Sequence, residues 1–227
     1  ELKAFISGER YNMVPESAEA KLKVLTNMSA LIQAFEGFLR QSGNTGQYEI
    51  DGGFLKLELN GQSAHGSTPE EGVNAGTELL KFLADIELDQ NGSQFVNFAK
   101  NYIIDNLSGE QFNMAHQHEE MGNVSVNTGM INYTEVDGGV FGVNLRYPQG
   151  LDFDAGIQQL AEKIDGTGFT VEDISNQVPH YVDKNDPLVV QLLESYRKHT
   201  GDDSEAFTIG GGTYARTLKT GVAFGAM

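Results

Sequence analysis

The spacing of apolar residues predicts two strands, a helix and a hairpin in the first part of the chain. The helix has apolar residues at helical spacing, and the hairpin alternates apolar and polar residues on either side of an Asp-Gly-Gly turn. Their predicted bounds are Leu2–Ile6, Lys21–Leu25, Ser29–Gln41, Gln47–Ile50 and Phe54–Leu59.

Further along, helical and alternating patterns follow each other without a regular order. The predicted elements are two helices, a pair of strands, a helix and a last strand, at Val73–Ile86, Ser93–Leu107, Asn123–Tyr133, Gly139–Arg146, Asp152–Ile164 and Phe169–Ile174. A parallel sheet needs regular strand–helix alternation, so the pattern favours an α+β fold of antiparallel strands with helices on one face. Two such units in tandem fit it.

The pattern changes again at Pro187, which follows Asp186 as a residue typical of a helix start. An apolar stripe then predicts a helix over Leu188–Lys198, and two short strands are predicted at Glu205–Ile209 and Val222–Phe224. This order predicts a piece of a second, α/β domain. The chain starts without Met and stops just as a strand begins, so we expect it to be part of a longer polypeptide.

Composition excludes several functions. Fifteen Lys and Arg against 32 Asp and Glu give a formal net charge of −17, which disfavours nucleic acid and anionic membranes as partners. Cysteine is absent, which excludes disulfides and thiolate catalysis and suits a cytoplasmic protein. No apolar run approaches the roughly 18 to 20 residues that cross a bilayer.

The first candidate for chemistry is His65, in the loop Gly61–Glu70 between a predicted strand and a helix. Small neighbours leave its imidazole free to donate a hydrogen bond to an oxyanion. A histidine that only caps the next helix is equally consistent with this position.

Arg146 ends a predicted strand and is suited to two-pronged binding of a carboxylate, although a surface salt bridge is the alternative. Gly210, Gly211 and Gly212 would let backbone amides approach an anion, although three glycines also suit a tight turn. The cluster His116–Glu120 has metal-binding side chains, but a solvated loop is the simpler interpretation.

Four segments, in this order and spacing, resemble the PepV-type bacterial dipeptidases of the aminoacylase, carnosinase and carboxypeptidase G superfamily. They are Asn12–Glu16, Ser63–Gly66, Asn144–Pro148 and Gly210–Arg216. The resemblance covers essentially the whole chain.

The resemblance implies a lid domain inserted into a catalytic domain. Residues 11–182 would form the lid, with two similar α+β halves at about 11–120 and 121–182. Residues 1–10 would be a catalytic-domain strand, and residues 183–227 a truncated α/β fragment of the same domain.

The resemblance also implies roles for individual residues. His65 would polarise the scissile carbonyl, and Arg146 would bind the C-terminal carboxylate of a dipeptide, with Asn12, Gly211 and Gly212 around that carboxylate. The intact enzyme would hold two zinc ions, but the family's metal ligands have no counterpart in this chain, so we expect the chain by itself to be inactive. We expect the intact enzyme to be monomeric. The alternative is a non-catalytic α+β module for binding or dimerisation.

Overall fold

The computed structural model describes residues 1–225 and contains eight strands and five α-helices in this part of the chain. The strands are β1 (Leu2–Ser7), β2 (Ser17–Lys23), β3 (Thr45–Asp51), β4 (Phe54–Asn60), β5 (Gln117–His118), β6 (Gly122–Asn123), β7 (Ser125–Thr134) and β8 (Gly138–Arg146). The helices are α1 (Met28–Ser42), α2 (Ala75–Ala84), α3 (Gln90–Phe98), α4 (Phe153–Ile164) and α5 (Pro187–Thr200).

Six strands form one antiparallel sheet in the order β3-β4-β2-β1-β7-β8, and β5 and β6 form a separate small hairpin. An antiparallel sheet with helices confirms the α+β class. The sheet contains strands from both predicted lid halves, and β1, assigned by the resemblance to the catalytic domain, pairs with β2 and β7. The proposed domain boundary after residue 10 therefore falls between two strands of the same sheet.

Alternation of side chains gives the sheet one apolar and one wet face. In β4, Leu55, Leu57 and Leu59 are fully buried, while the residues between them point the other way. On that wet face the Lys56 Nζ lies 2.8 Å from a carboxylate oxygen of Glu19 on β2. The predicted hairpin is confirmed, because its period of two matches the pleat of a half-buried strand.

Helices α2 and α3 cover the apolar face, and each begins at a side chain that accepts a backbone N–H. Asn74 accepts from Gly76 and Thr77, and Asp89 accepts from Gly92 and also from Leu2 of β1, at 2.7 Å. Desolvation acts to raise the pKa of Asp89, but these backbone N–H donors outweigh it and lower the pKa. The helix predicted at Ser93–Leu107 corresponds to α3 and ends earlier than expected, since α3 passes into a π-helical turn at Ala99–Ile103.

Two glycines bring the segment after β1 against β7. A side-chain carbon on Gly8 would lie 2.0 Å from the carbonyl oxygen of Gly129, and one on Gly129 would lie 2.4 Å from the carbonyl oxygen of Arg10. Gly129 also lies at a register shift between β7 and β8. This close backbone approach requires glycine and places residues 10–13 beside β7.

Residues 166–225 contain α5 and a 3-10 helix at Tyr214–Thr217, and the strands predicted there are wrong. The stretches at Phe169–Ile174, Glu205–Ile209 and Val222–Phe224 are irregular, because no strand of the described chain pairs with them. The last residues of the predicted C-terminal fragment, 226 and 227, lie outside the described part. Among the described helices, none has the length and apolar character needed to cross a membrane.

Candidate functional site

The loop that carries His65 is fixed by backbone pairing on both sides. Isolated bridges join Met13 to His65 and Gln62 to Val73. The Val14 N–H donates to the Ala64 carbonyl at 2.9 Å, and the Gly66 N–H donates to the Asn12 carbonyl at 2.8 Å. The loop therefore lies directly beside the segment that contains Asn12, and both residues have exposed side chains.

A buried amide holds that segment in place. Asn127 of β7 is 1% exposed, and its Nδ2 donates to the carbonyl oxygens of Tyr11, at 2.7 Å, and Met13, at 2.9 Å. Because Met13 pairs with His65, the side chain of Asn127 fixes the position of the histidine loop from the sheet.

Within the described residues, the imidazole of His65 is bonded on one nitrogen only. Its Nδ1 lies 2.7 Å from the Ser67 Oγ and accepts the Ser67 N–H at 3.3 Å. The ring does not cap the following 3-10 helix, Pro69–Glu71, whose N-cap is Thr68 and which has no side-chain cap. The capping alternative is therefore wrong.

Arg146, the last residue of β8, is held by neutral oxygens. Its Nε donates to the Asn144 Oδ1 at 3.0 Å, and one terminal nitrogen donates to the Gly210 carbonyl. Within residues 1–225 it makes no ion pair, which disfavours the salt-bridge alternative. A guanidinium has five N–H donors, and the two bonds leave most of them, and the positive charge, available to an anion.

The glycine loop completes the arrangement through Gly210. A side-chain carbon on Gly210 would lie 2.9 Å from the Cβ of Ser67, so this loop lies against the histidine loop as well as against Arg146. Gly211 and Gly212 are exposed, and the space beside Gly212 is occupied by the side chain of Arg216. The loop leads into a 3-10 helix that begins at Tyr214.

The small hairpin and the C-terminal residues meet at a second polar cluster. Glu120 accepts from the Tyr181 hydroxyl and pairs with Lys184, and its carbonyl accepts from Thr208. The hydrogen bond to Glu120 raises the pKa of Tyr181 to about 12, and the bond from Lys184 lowers the pKa of Glu120. These contacts join residues 181–208 to the small hairpin of β5 and β6.

Contacts thus connect the Asn12 segment, the His65 loop, Ser67, Gly210 and Arg146 in one continuous set. Sequence reasoning missed Ser67, Asn144 and Asn127. The signals were present, since Ser67 and Asn144 each stand two residues from the side chain they hold. Asn127 is a polar residue in an apolar strand, which points to a specific partner.

The residues present do not fit the zinc ions that the resemblance implies. Residues 1–225 contain no group of three or more His, Cys, Asp and Glu side chains that could hold a metal ion. In the His116–Glu120 cluster, His118 Nδ1 accepts backbone N–H groups of Glu120 and Met121, while His116 Nε2 lies 3.3 Å from the Gln149 carbonyl oxygen. The two rings have separate surroundings.

Comparison with known proteins gives one family and several similar sequences. The sequence model described as a peptidase dimerisation domain matches residues 52–171. Over all 227 residues, the chain is 47% identical to a protein of Staphylococcus saprophyticus and 49% identical to proteins of Staphylococcus aureus strains MW2 and USA300. Each is named "Putative dipeptidase". The chain spans 48% of the length of each of these relatives.

Proposed function

Because this chain belongs to the M20 family of peptidase dimerisation domains, we propose that it is the lid and substrate-holding part of a PepV-type dipeptidase. In this proposal the substrate is a dipeptide and the reaction is hydrolysis of its peptide bond. The polypeptide would be about twice as long as this chain, like the dipeptidase-named relatives, and cytoplasmic.

One observation carries the proposal: the His65 loop touches, through Ser67, the glycine loop whose Gly210 carbonyl accepts from Arg146 at the end of β8. Among residues 1–225 the imidazole Nε2 has no partner on its exposed side chain, and the guanidinium has unused donors. A hydrogen-bond donor and a fixed cation near each other suit a ligand with a carbonyl and a carboxylate, as in a dipeptide.

The proposed roles follow from these groups. The His65 Nε2–H donates to the scissile carbonyl oxygen, where negative charge develops during hydrolysis. Arg146 binds the C-terminal carboxylate, and Asn12 and the backbone amides of Gly211 and Gly212 add donors around it. The zinc implied by the resemblance would be held by residues outside this chain, and none of these steps passes through it.

The decisive experiment replaces His65 in the full-length polypeptide. His65→Ala should lower kcat for a dipeptide by about 10²- to 10³-fold, the usual cost of losing one oxyanion donor. The matched control is His199→Ala, an exposed histidine at the end of α5, which should leave kcat unchanged. An unaltered kcat in folded His65→Ala would refute the proposal.

A second measurement tests the carboxylate site. With a C-terminally amidated dipeptide, the wild-type enzyme should show a raised KM, because the anion that pairs with Arg146 is gone. Arg146→Lys should raise KM for the free acid and reduce the difference between the two substrates. Equal binding of acid and amide by the wild type would remove this role.

Self-association is the second candidate function. The matched family is described as a dimerisation domain, and the sheet ends at two edge strands, β3 and β8, that can add a further strand. Light scattering of this chain would separate the candidates. A stable dimer supports a dimerisation module, whereas a monomer supports the monomeric enzyme expected from the sequence.

A further inference from the structure

We propose that Ser67 is a positioning residue that holds the His65 imidazole in the Nε2–H tautomer. Its importance for catalysis rests on the proposed function above, but the tautomer itself can be measured without any activity. The inference concerns which ring nitrogen carries the proton, and therefore what the exposed edge of the ring can do.

Two polar groups of the same residue converge on one ring nitrogen, and one of them, the backbone N–H, has a fixed direction. The Ser67 backbone N–H donates to the His65 Nδ1 at 3.3 Å, and the Ser67 Oγ lies 2.7 Å from the same atom. A backbone N–H can only donate, so Nδ1 must present its lone pair. In a neutral imidazole the proton then resides on Nε2.

The side chain of Ser67 lies against the glycine loop. Any side-chain carbon at Gly210 would lie 2.9 Å from the Ser67 Cβ and 3.3 Å from its Oγ, so the Gly210 backbone packs directly on the serine. The Gly210 carbonyl accepts from Arg146. Ser67 therefore lies between the guanidinium-bound loop and the imidazole.

The tautomer decides whether His65 can polarise a carbonyl. With the proton on Nε2, the exposed nitrogen donates to a carbonyl oxygen and stabilises developing negative charge. With the proton on Nδ1, the exposed nitrogen presents a lone pair to that oxygen and repels it. Ser67 thus acts through His65 and needs no contact with the substrate.

The test is nitrogen-15 NMR of the imidazole rings of the full chain at about pH 8, well above the ordinary histidine pKa of about 6.5. The His65 signals are assigned by comparison with His65→Ala. In the wild type, His65 should be almost wholly the Nε2–H tautomer. Ser67→Pro removes the backbone N–H, the donor that fixes the tautomer, and should raise the ratio of Nδ1–H to Nε2–H about fivefold, as expected for one lost hydrogen bond.

Two matched variants make the result specific. Ser67→Ala keeps the backbone N–H and removes a hydroxyl that can donate or accept, so the tautomer ratio should stay as in the wild type. Ser63→Ala removes an exposed hydroxyl from the same loop and should also leave the ratio unchanged. An unchanged ratio in folded Ser67→Pro, or an equal shift in Ser67→Ala, would overturn the inference.

Kinetics of the full-length polypeptide separate this inference from the proposed function. If both hold, Ser67→Pro lowers kcat in proportion to the fall in the Nε2–H fraction, and Ser67→Ala retains the wild-type kcat. If the tautomer shifts in Ser67→Pro while His65→Ala retains full kcat, the proposed function fails and the positioning role stands. If His65→Ala loses kcat while the tautomer does not change in Ser67→Pro, the positioning role fails alone.

Discussion

Residues 1–165 and residues 166–225 contain apolar residues in similar patterns but use them differently. In the first region the buried residues form one continuous core that includes Phe5, Phe35 and Phe95. Among residues 166–225, Val189 is the one buried large hydrophobic residue, while Phe207 is 68% exposed. The comparison teaches that an apolar stretch becomes a strand or a core only when a partner surface is present.

The candidate site draws on both regions. His65, Asn12 and Arg146 belong to the packed region, and Gly210 to Gly212 belong to the open one. Phe169 and Val171 of the open region pack against the core. The residues after them are attached through polar contacts, including those at Glu120 and at Arg146. We therefore expect these later residues to contribute little to the global stability of the chain, although they supply part of the site.

The largest difference in stability should come from truncating a buried aromatic residue in the first region and an exposed one in the second. Phe95 stacks on Phe141, with ring centroids 4.9 Å apart, and lies fully inside the core. Phe95→Ala should lower the free energy of unfolding by about 3–5 kcal/mol. Phe207→Ala should change it by less than about 0.5 kcal/mol. Urea unfolding followed by circular dichroism gives both values, and similar losses would refute the comparison.

A smaller effect is expected for Asn127, which joins the packed sheet to the site. Asn127→Ala removes two hydrogen bonds and leaves the Tyr11 and Met13 carbonyls without their donor. The free energy of unfolding should fall by about 2 kcal/mol, and the backbone amide NMR signals of residues 64–67 should shift.

The matched control for this change is Asn132→Ala, a half-buried asparagine on the same strand. Amide signals of the histidine loop should stay in place in this variant. If Asn132→Ala moved them as much as Asn127→Ala does, the specific role of Asn127 would be lost.

The smallest effect compares two helix caps. Asp89 caps α3 and also accepts from Leu2 of β1, whereas Asp186 caps α5 by accepting from Leu188. Asp89→Ala should cost about 1–2 kcal/mol of global stability. Asp186→Ala should loosen α5 and change global unfolding by less than about 0.5 kcal/mol. Equal losses in denaturant titrations would contradict the division into two regions.

Acid should reduce the loss of folding stability that replacing Asp89 causes. The pKa of this carboxyl is lowered in the folded chain, so its stabilisation is full above the unfolded value, about 3.9, and is lost as the pH falls through the folded value. The penalty of Asp89→Asn relative to wild type should therefore be constant near neutral pH and shrink below about pH 4. A penalty that grew in acid would reverse this sign.

Periodicity predicted the elements that have an amphipathic face. Helix α1 was predicted at Ser29–Gln41 and spans Met28–Ser42, and β4 was predicted within one residue. Strand β2 was predicted too late because Ala18 and Ala20, two of its three buried residues, are weak apolar signals. The predicted strand at Phe169–Ile174 failed because its Phe169 stacks on Phe98, with ring centroids 4.0 Å apart, while its backbone stays unpaired.

For the site, the sequence indicated His65, Arg146 and the glycine loop as residue types suited to carbonyl and carboxylate chemistry. It could not indicate that Ser67 holds the imidazole or that Gly210 lies between Ser67 and Arg146, since residues 67 and 210 are far apart in the chain. Those contacts depend on how loops from separate elements meet.

By itself, the sequence determined the α+β class and the four segments that resemble one peptidase superfamily, because both depend on local patterns of side chains. Only the tertiary structure decided that both predicted halves share one sheet, and that the His65 loop and Arg146 are connected through Ser67 and Gly210. Strand order and loop contacts join residues distant in sequence. They are set by which surfaces can be buried together, and no local pattern encodes that choice.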